Sequence, residues 1–176
     1  TLEFDLAEFE YFIKPDEWPD MFEYWKDQMI NFAKLLGFSN EVIRWRPHSK
    51  AELSHYSSRT EDVEYRFPWG FKEMWGLAYR TDFDLKNHMQ KSGVDLRFTD
   101  SSTGNRFIPH VIEPTFGISR LFTILLINSY AEVGDRVILK LAPVLAPYQV
   151  AVFPLLANKS ALTDRAKQLF FQLKSD

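Results

Sequence analysis

The chain has 176 residues, with 21 Lys and Arg against 24 Asp and Glu for a net charge of −3, so it is long enough for one domain or one and a half and has no overall field to hold a polyanion. Hydrophobic residues make up 45% and aromatics 16%, including 16 Phe and 5 Trp, which allows a sizeable core and excludes disorder or a collagen-like repeat. There is no Cys, so disulfides, thiolate metal ligands and a thiol nucleophile are excluded.

Thr1 opens the chain without a Met or a basic, apolar leader, so no signal peptide is visible and the natural start is expected upstream. The apolar stretch Leu121–Ile127 is far shorter than the roughly 20 residues of a membrane span. A soluble, intracellular protein is expected.

Leu2 to Ile13 alternates, with Phe4, Leu6, Glu8 and Phe12 on one face and Glu3, Asp5, Phe9 and Tyr11 on the other. This predicts a long strand with two semi-buried faces. From Met21 to Leu36, Phe22, Trp25, Met29, Phe32, Ala33 and Leu36 recur at helical spacing, and Gly37 supplies a stop. Strands are expected at Val42–Arg46, Asp62–Phe67 and Phe71–Tyr79, the last interrupted by Gly76, with a short helix near Glu52–Tyr56. Asp82–Met89 reads as a helix. The polar tip Ser101–Asn105 should close a hairpin between Leu96–Thr99 and Arg106–Ile112. A second apolar helix is expected over Gly117–Tyr130. Pro143 and Pro147 form a stiff linker, followed by a strand at Gln149–Leu155 and a helix over Ala161–Leu173, capped by Asn158 or Ser160. The pattern is α+β with a largely antiparallel sheet, and the tail reads as the opening of a second domain.

Three acids stand among large apolar neighbours: Glu8, Glu73 and Glu113. Each either faces solvent from an alternating strand or joins a shared acidic pocket for a cation, because an unpaired buried carboxylate is costly. Arg120 follows Gly117 at a helix start, where a guanidinium and free N–H groups suit phosphate; a surface salt bridge is its ordinary alternative. Arg80 ends a strand within reach of Asp82 or Asp84. The histidines His48, His55, His88 and His110 lack metal-ligand spacing, and His55 and His110 read as core hydrogen-bonding residues. No glycine-rich phosphate loop is present.

Taken in order, several segments resemble the homodimeric type of glycyl-tRNA synthetase, a class II aminoacyl-tRNA synthetase. They are residues 3–12 (EFDLAEFEYF), 52–57 (ELSHYS), 62–68 (DVEYRFP), 73–85 (EMWGLAYRTDFDL), 109–120 (PHVIEPTFGISR), and 137–141 with 145–154. The resemblance runs over nearly the whole chain. It implies a class II-like antiparallel sheet flanked by helices, incomplete, over residues 1–142. Residues 143–176 would be a linker and the first strand and helix of an α/β anticodon-binding domain.

The resemblance also implies roles. Phe4 and Glu8 match the Phe-x-x-x-Glu that ends motif 2, so Phe4 would stack on adenine and Glu8 would face the glycine ammonium. Glu73, Glu113 and Thr115, which stands where Ser is usual, would join Glu8 there, with Glu113 also on the ATP side. Gly117 and Arg120 match motif 3, so Arg120 would hold ATP phosphates, and Arg80 would lie near the reacting carboxylate or α-phosphate. ATP is then a substrate, accompanied by Mg2+, and no protein-held metal is implied. The expected partners are glycine, ATP and tRNA(Gly), in a cytoplasmic enzyme whose full-length form is a homodimer with no membrane association. Leu2 stands where the family usually has Arg, and the first half of motif 2 and all of motif 1 are missing, so the fragment alone is expected to be inactive. The alternative is a synthetase-derived accessory or nucleic-acid-binding protein without catalysis.

Overall fold

A computed structural model describes residues 3–174, so Leu2 lies outside the described residues. The chain divides into two compact units, Thr1–Lys140 and Leu141–Asp176.

The first unit is built on an antiparallel sheet. Strands β1 (Leu6–Glu8) and β2 (Tyr11–Ile13) both pair with β8 (His110–Gly117). From β8 the order runs through β5 (Gly70–Thr81) and β4 (Arg59–Phe67) to β3 (Ile43–Pro47). Helix α1 (Trp18–Leu35) covers one face: Phe32 stacks on Trp75 at 5.5 Å and Trp18 on Tyr79 at 4.5 Å between ring centroids. Its buried side chains Phe22, Met29 and Ala33 follow the helical period, and Gly37, at φ 94°, takes the left-handed turn that ends it. Lys26 pairs with the buried Glu61 at 2.8 Å, so even the charges beneath α1 are matched. The outer strand β3 carries Arg44 and Arg46 and ends at Pro47, features that discourage edge-to-edge pairing.

The remaining elements of this unit are helix α2 (Phe83–Ser92), the hairpin β6 (Phe98–Thr99) with β7 (Arg106–Phe107), helix α3 (Ile118–Ser129), and the hairpin β9 (Tyr130–Val133) with β10 (Arg136–Leu139). The antiparallel α+β arrangement agrees with the expectation from sequence.

Several local expectations are corrected. The strand over Leu2–Ile13 is two short strands, because Phe9 and Glu10 leave the ladder, Phe9 N–H turning to the Pro114 carbonyl at 3.1 Å. Its faces are mostly exposed, since it lies at the sheet edge; Ile13 alone among the described residues 3–13 is buried. The segment Glu52–Tyr56 forms turns rather than a helix. Strand β5 runs unbroken through Gly76; its irregularities fall instead at Met74 and Arg80, the residues skipped in the pairing with β4 and β8. In the second unit Gln149–Leu155 is not a strand. Val150, Phe153 and Leu155 are exposed, and without a neighbouring strand their alternation has no ladder to join. A 3₁₀ turn (Pro143–Leu145) and helix α4 (Ser160–Lys174) complete that unit. The β9–β10 hairpin was not anticipated: its strands are short and exposed and show no buried period.

Candidate active site

The face of the sheet opposite α1 is polar. Across four strands, Asp62, Gly76, Thr115 and Glu8 are successive register partners and therefore form one row on this face. The centre of the row is low, because Gly76 has no side chain and its β8 neighbour is a small Thr. Neighbouring strands are about 4.8 Å apart, so Asp62 and Glu8 flank the Gly76–Thr115 pair at similar distances. Along the strands, Glu113 lies opposite Ala78 at one end, and Glu73 lies beyond the Met74 bulge at the other. Acidic side chains thus surround a floor made of Gly, Thr and Ala.

Each lengthwise acid is engaged by an arginine. At Arg80 the pairing of β5 with β8 skips a residue and Thr81 adopts φ 58°, a conformation unusual for a β-branched residue. This bulge directs the Arg80 guanidinium to Glu113 and, at 2.7 and 3.1 Å, to both oxygens of Asp84. Arg80 also lies 4.0 Å from the Tyr56 ring centre. Its hydrogen bonds hold the Asp84 carboxyl below its usual range. Glu113 is buried, and the Thr115 hydroxyl reaches its other oxygen at 3.5 Å. Burial of the Glu10 carboxyl, then the charge of Glu113 and a hydrogen bond to it, push Glu10 up to about 7. Glu10 as a whole is exposed, so solvent screens part of that effect. Glu10, Phe12, Arg80, Asp84 and His88 line a cleft of about 340 Å³.

At the other end, Arg120 Nη1 donates to the Glu73 carboxylate at 2.8 Å and to its carbonyl at 3.0 Å. Arg120 sits in the first turn of α3, whose N-cap is Gly117. The segment bearing Phe4 is tied to that turn, with Ile118 N–H donating to the Asp5 carbonyl at 2.9 Å and Asp5 N–H to the Ser119 hydroxyl at 3.0 Å. Phe4, Phe67, Arg120 and Thr123 consequently line one cleft of about 260 Å³. An aromatic face and a guanidinium in one cleft can take a base and a phosphate.

The structure brings Glu8, Thr115 and Glu113 side by side, with Glu73 across Gly76 from them, and Phe4 with Arg120. Arg80 joins Glu113, and its partner among the two candidate aspartates is Asp84; Asp82 pairs with Lys86 at 2.8 Å. His110 bonds Tyr79 beside the core. Glu10, Asp62 and His48 were missed as site residues. Glu10 follows Glu8 at the alternating spacing, so it was readable as a neighbour, whereas Asp62 and His48 are brought in by long-range pairing. Asp62 is buried, at 8% exposure, and His48 Nε2 bonds its Oδ2 at 2.7 Å. Burial pushes the Asp62 carboxyl up, with the His48 hydrogen bond opposing. Among the described residues no cluster of His, Asp and Glu could hold a metal ion, and no helix is long and apolar enough to cross a membrane.

No protein-family model matches the chain. Curated proteins do. The chain is 43% identical over 178 residues to a glycine–tRNA ligase of Caldanaerobacter subterraneus subsp. tengcongensis, covering 99% of this chain and 38% of the relative. It is 44% identical over 178 residues to that of Geobacillus thermodenitrificans, covering 98% and 38%, and 40% identical over 180 residues to that of Bacillus cereus, covering 100% and 39%. The chain therefore spans a little over a third of the length of these relatives. Within that span the resemblance read from its motifs stands: the chain is a homologue, along its whole length, of part of glycine–tRNA ligase.

Proposed function

We propose that this chain supplies the amino-acid and ATP sites of a class II glycine–tRNA ligase, which activates glycine as glycyl-adenylate and transfers it to tRNA(Gly). The supporting observation is the acid-ringed Gly76–Thr115 floor, with homology to glycine–tRNA ligases behind it. Glycine has no side chain to grip, so its ammonium must supply affinity through charge-assisted hydrogen bonds. Glu8, Glu73, Glu113 and the Thr115 hydroxyl are assigned to that ammonium. Phe4 is assigned to adenine and Arg120 to the phosphates, with Glu113 also on the nucleotide side.

In the first step a glycine carboxylate oxygen attacks the α-phosphorus of ATP and pyrophosphate leaves. In the second, a hydroxyl at the tRNA 3′ end attacks the carbonyl and AMP leaves. Neither step needs a protein nucleophile; positioning and charge neutralisation carry the rate. Arg80, fixed by Glu113 and Asp84, is assigned to the negative charge of the reacting carboxylate or α-phosphate. Mg2+ enters with the nucleotide as part of the substrate.

Residues 1–142 are assigned to the catalytic domain and 143–176 to a linker and the start of an anticodon-binding domain. The full-length enzyme is proposed to be a cytoplasmic homodimer. Because the relatives are far longer, these 176 residues alone are proposed to be inactive. The test grafts this chain into the matching stretch of the Geobacillus thermodenitrificans ligase and measures transfer of labelled glycine to tRNA(Gly). Charging by the graft supports the reading, and a folded graft that charges no tRNA contradicts it.

A further inference from the structure

Nothing so far gives Asp62 a partner for its second oxygen. Oδ2 is held by His48 at 2.7 Å, with Arg46 Nη1 at 3.8 Å. Oδ1 accepts no hydrogen bond among the described residues, yet Asp62 is only 8% exposed. Oδ1 lies 3.8 Å from the point a Cβ on Gly76 would occupy, so it overhangs the side-chain-free floor. Oδ1 keeps contact with solvent, and a ligand bringing charged N–H groups can replace that water with charge-assisted hydrogen bonds. Asp62 is also the counterpart of Glu8, at the opposite end of the same register row.

We infer that Asp62 is a further acceptor for the substrate ammonium, its Oδ1 facing the amine over Gly76 while His48 fixes the carboxylate through Oδ2. This rests on the glycine reading above. His48 is then a positioning residue, acting only through Asp62. Placing a carboxylate against Gly76 also narrows the floor, which favours an amino acid without a side chain.

Calorimetric titration of the whole 176-residue chain with glycine, with alanine as control, tests this. Asp62→Asn keeps the shape and removes the charge. It should weaken glycine about 10- to 100-fold, the range for a hydrogen bond to a charged group, and leave ATP affinity unchanged. His48→Ala should weaken glycine in the same sense, and His48→Gln, which keeps a donor toward Oδ2, should recover most of the loss. That rescue is not expected if His48 merely fills space. If Asp62→Asn fails to unfold cooperatively, the two His48 variants report on the same carboxylate. If Asp62→Asn binds glycine as the parent does while Glu113→Gln binds it weakly, the site stands and Asp62 is not in it. A parent chain that binds no glycine, or binds alanine equally, overturns the glycine reading and this inference with it.

Discussion

Arg80 and Glu113 are joined across adjacent strands because Arg80 is the bulged residue of β5. A regular strand would have continued the alternation there, whereas the extra residue places the guanidinium over a carboxylate that is 7% exposed. The pair is therefore fixed by backbone irregularity as much as by charge.

Removing one partner should leave Glu113 buried and uncompensated. Arg80→Ala is expected to lower the stability of the chain by about 3–5 kcal/mol, and Arg80→Lys by less, since Lys keeps the charge but not the forked geometry. Urea denaturation followed by tryptophan fluorescence measures both. Equal stability of parent and Arg80→Ala would show that Glu113 is solvated in solution.

Glu10 gives a pH dependence. Its folded pKa, about 7, lies above the ordinary glutamate value of 4.5, so between these values the folded state binds more protons than the unfolded one. Stability from this group is thus greatest at low pH and is lost as pH rises through that window. The thermal midpoint should fall less steeply between pH 5 and pH 8 in Glu10→Gln than in the parent, and the variant should be the more stable at pH 8. Parallel curves would remove Glu10 from the Glu113 pair.

What the sequence made legible follows the range of the interactions. Helix α1 was readable because Phe22, Met29 and Ala33 repeat locally and Gly37 marks the end. The candidate acids Glu8, Glu73 and Glu113 stood out as charges in apolar runs, and the roles expected of them came from ordered family motifs rather than from spacing. The row Asp62–Gly76–Thr115–Glu8 could not be read, because it exists only once four strands are in register. The bulges at Met74 and Arg80 were likewise hidden, since neither carries a local signal, and Gly76 was mistaken for a break when it is an open floor. The expected strand at Gln149–Leu155 shows the converse error: alternation without a neighbouring strand forms no ladder.

Gly76 offers a test that separates fold from site. An added Cβ would meet Asp62 Oδ1 at 3.8 Å, an ordinary contact. Gly76→Ala should therefore leave stability unchanged or raise it by up to about 1 kcal/mol, as expected when Ala replaces Gly in a strand. If glycine lies on this floor, the same variant should weaken glycine binding in calorimetry while ATP binding is retained. Unaltered glycine affinity would place the ligand elsewhere.

Phe4 is 47% exposed and shares its cleft with Arg120. Phe4→Ala should weaken ATP by about 1–3 kcal/mol, the range for base stacking on an aromatic ring, with little effect on glycine. Phe4→Trp should restore most of it. Equilibrium dialysis with labelled ATP reads both, and unchanged ATP binding in Phe4→Ala would exclude the stack.

The central claim is that this chain carries the residues that activate glycine. Its most direct test is glycine-dependent ATP–pyrophosphate exchange by the graft of this chain into the Geobacillus thermodenitrificans ligase, which it matches at 44% identity. The graft should exchange with glycine and not with alanine, Glu113→Gln in the graft should suppress the exchange, and the 176-residue chain alone should show none. A cooperatively folded graft without exchange, or one whose exchange survives the loss of Glu113 unchanged, would contradict the account.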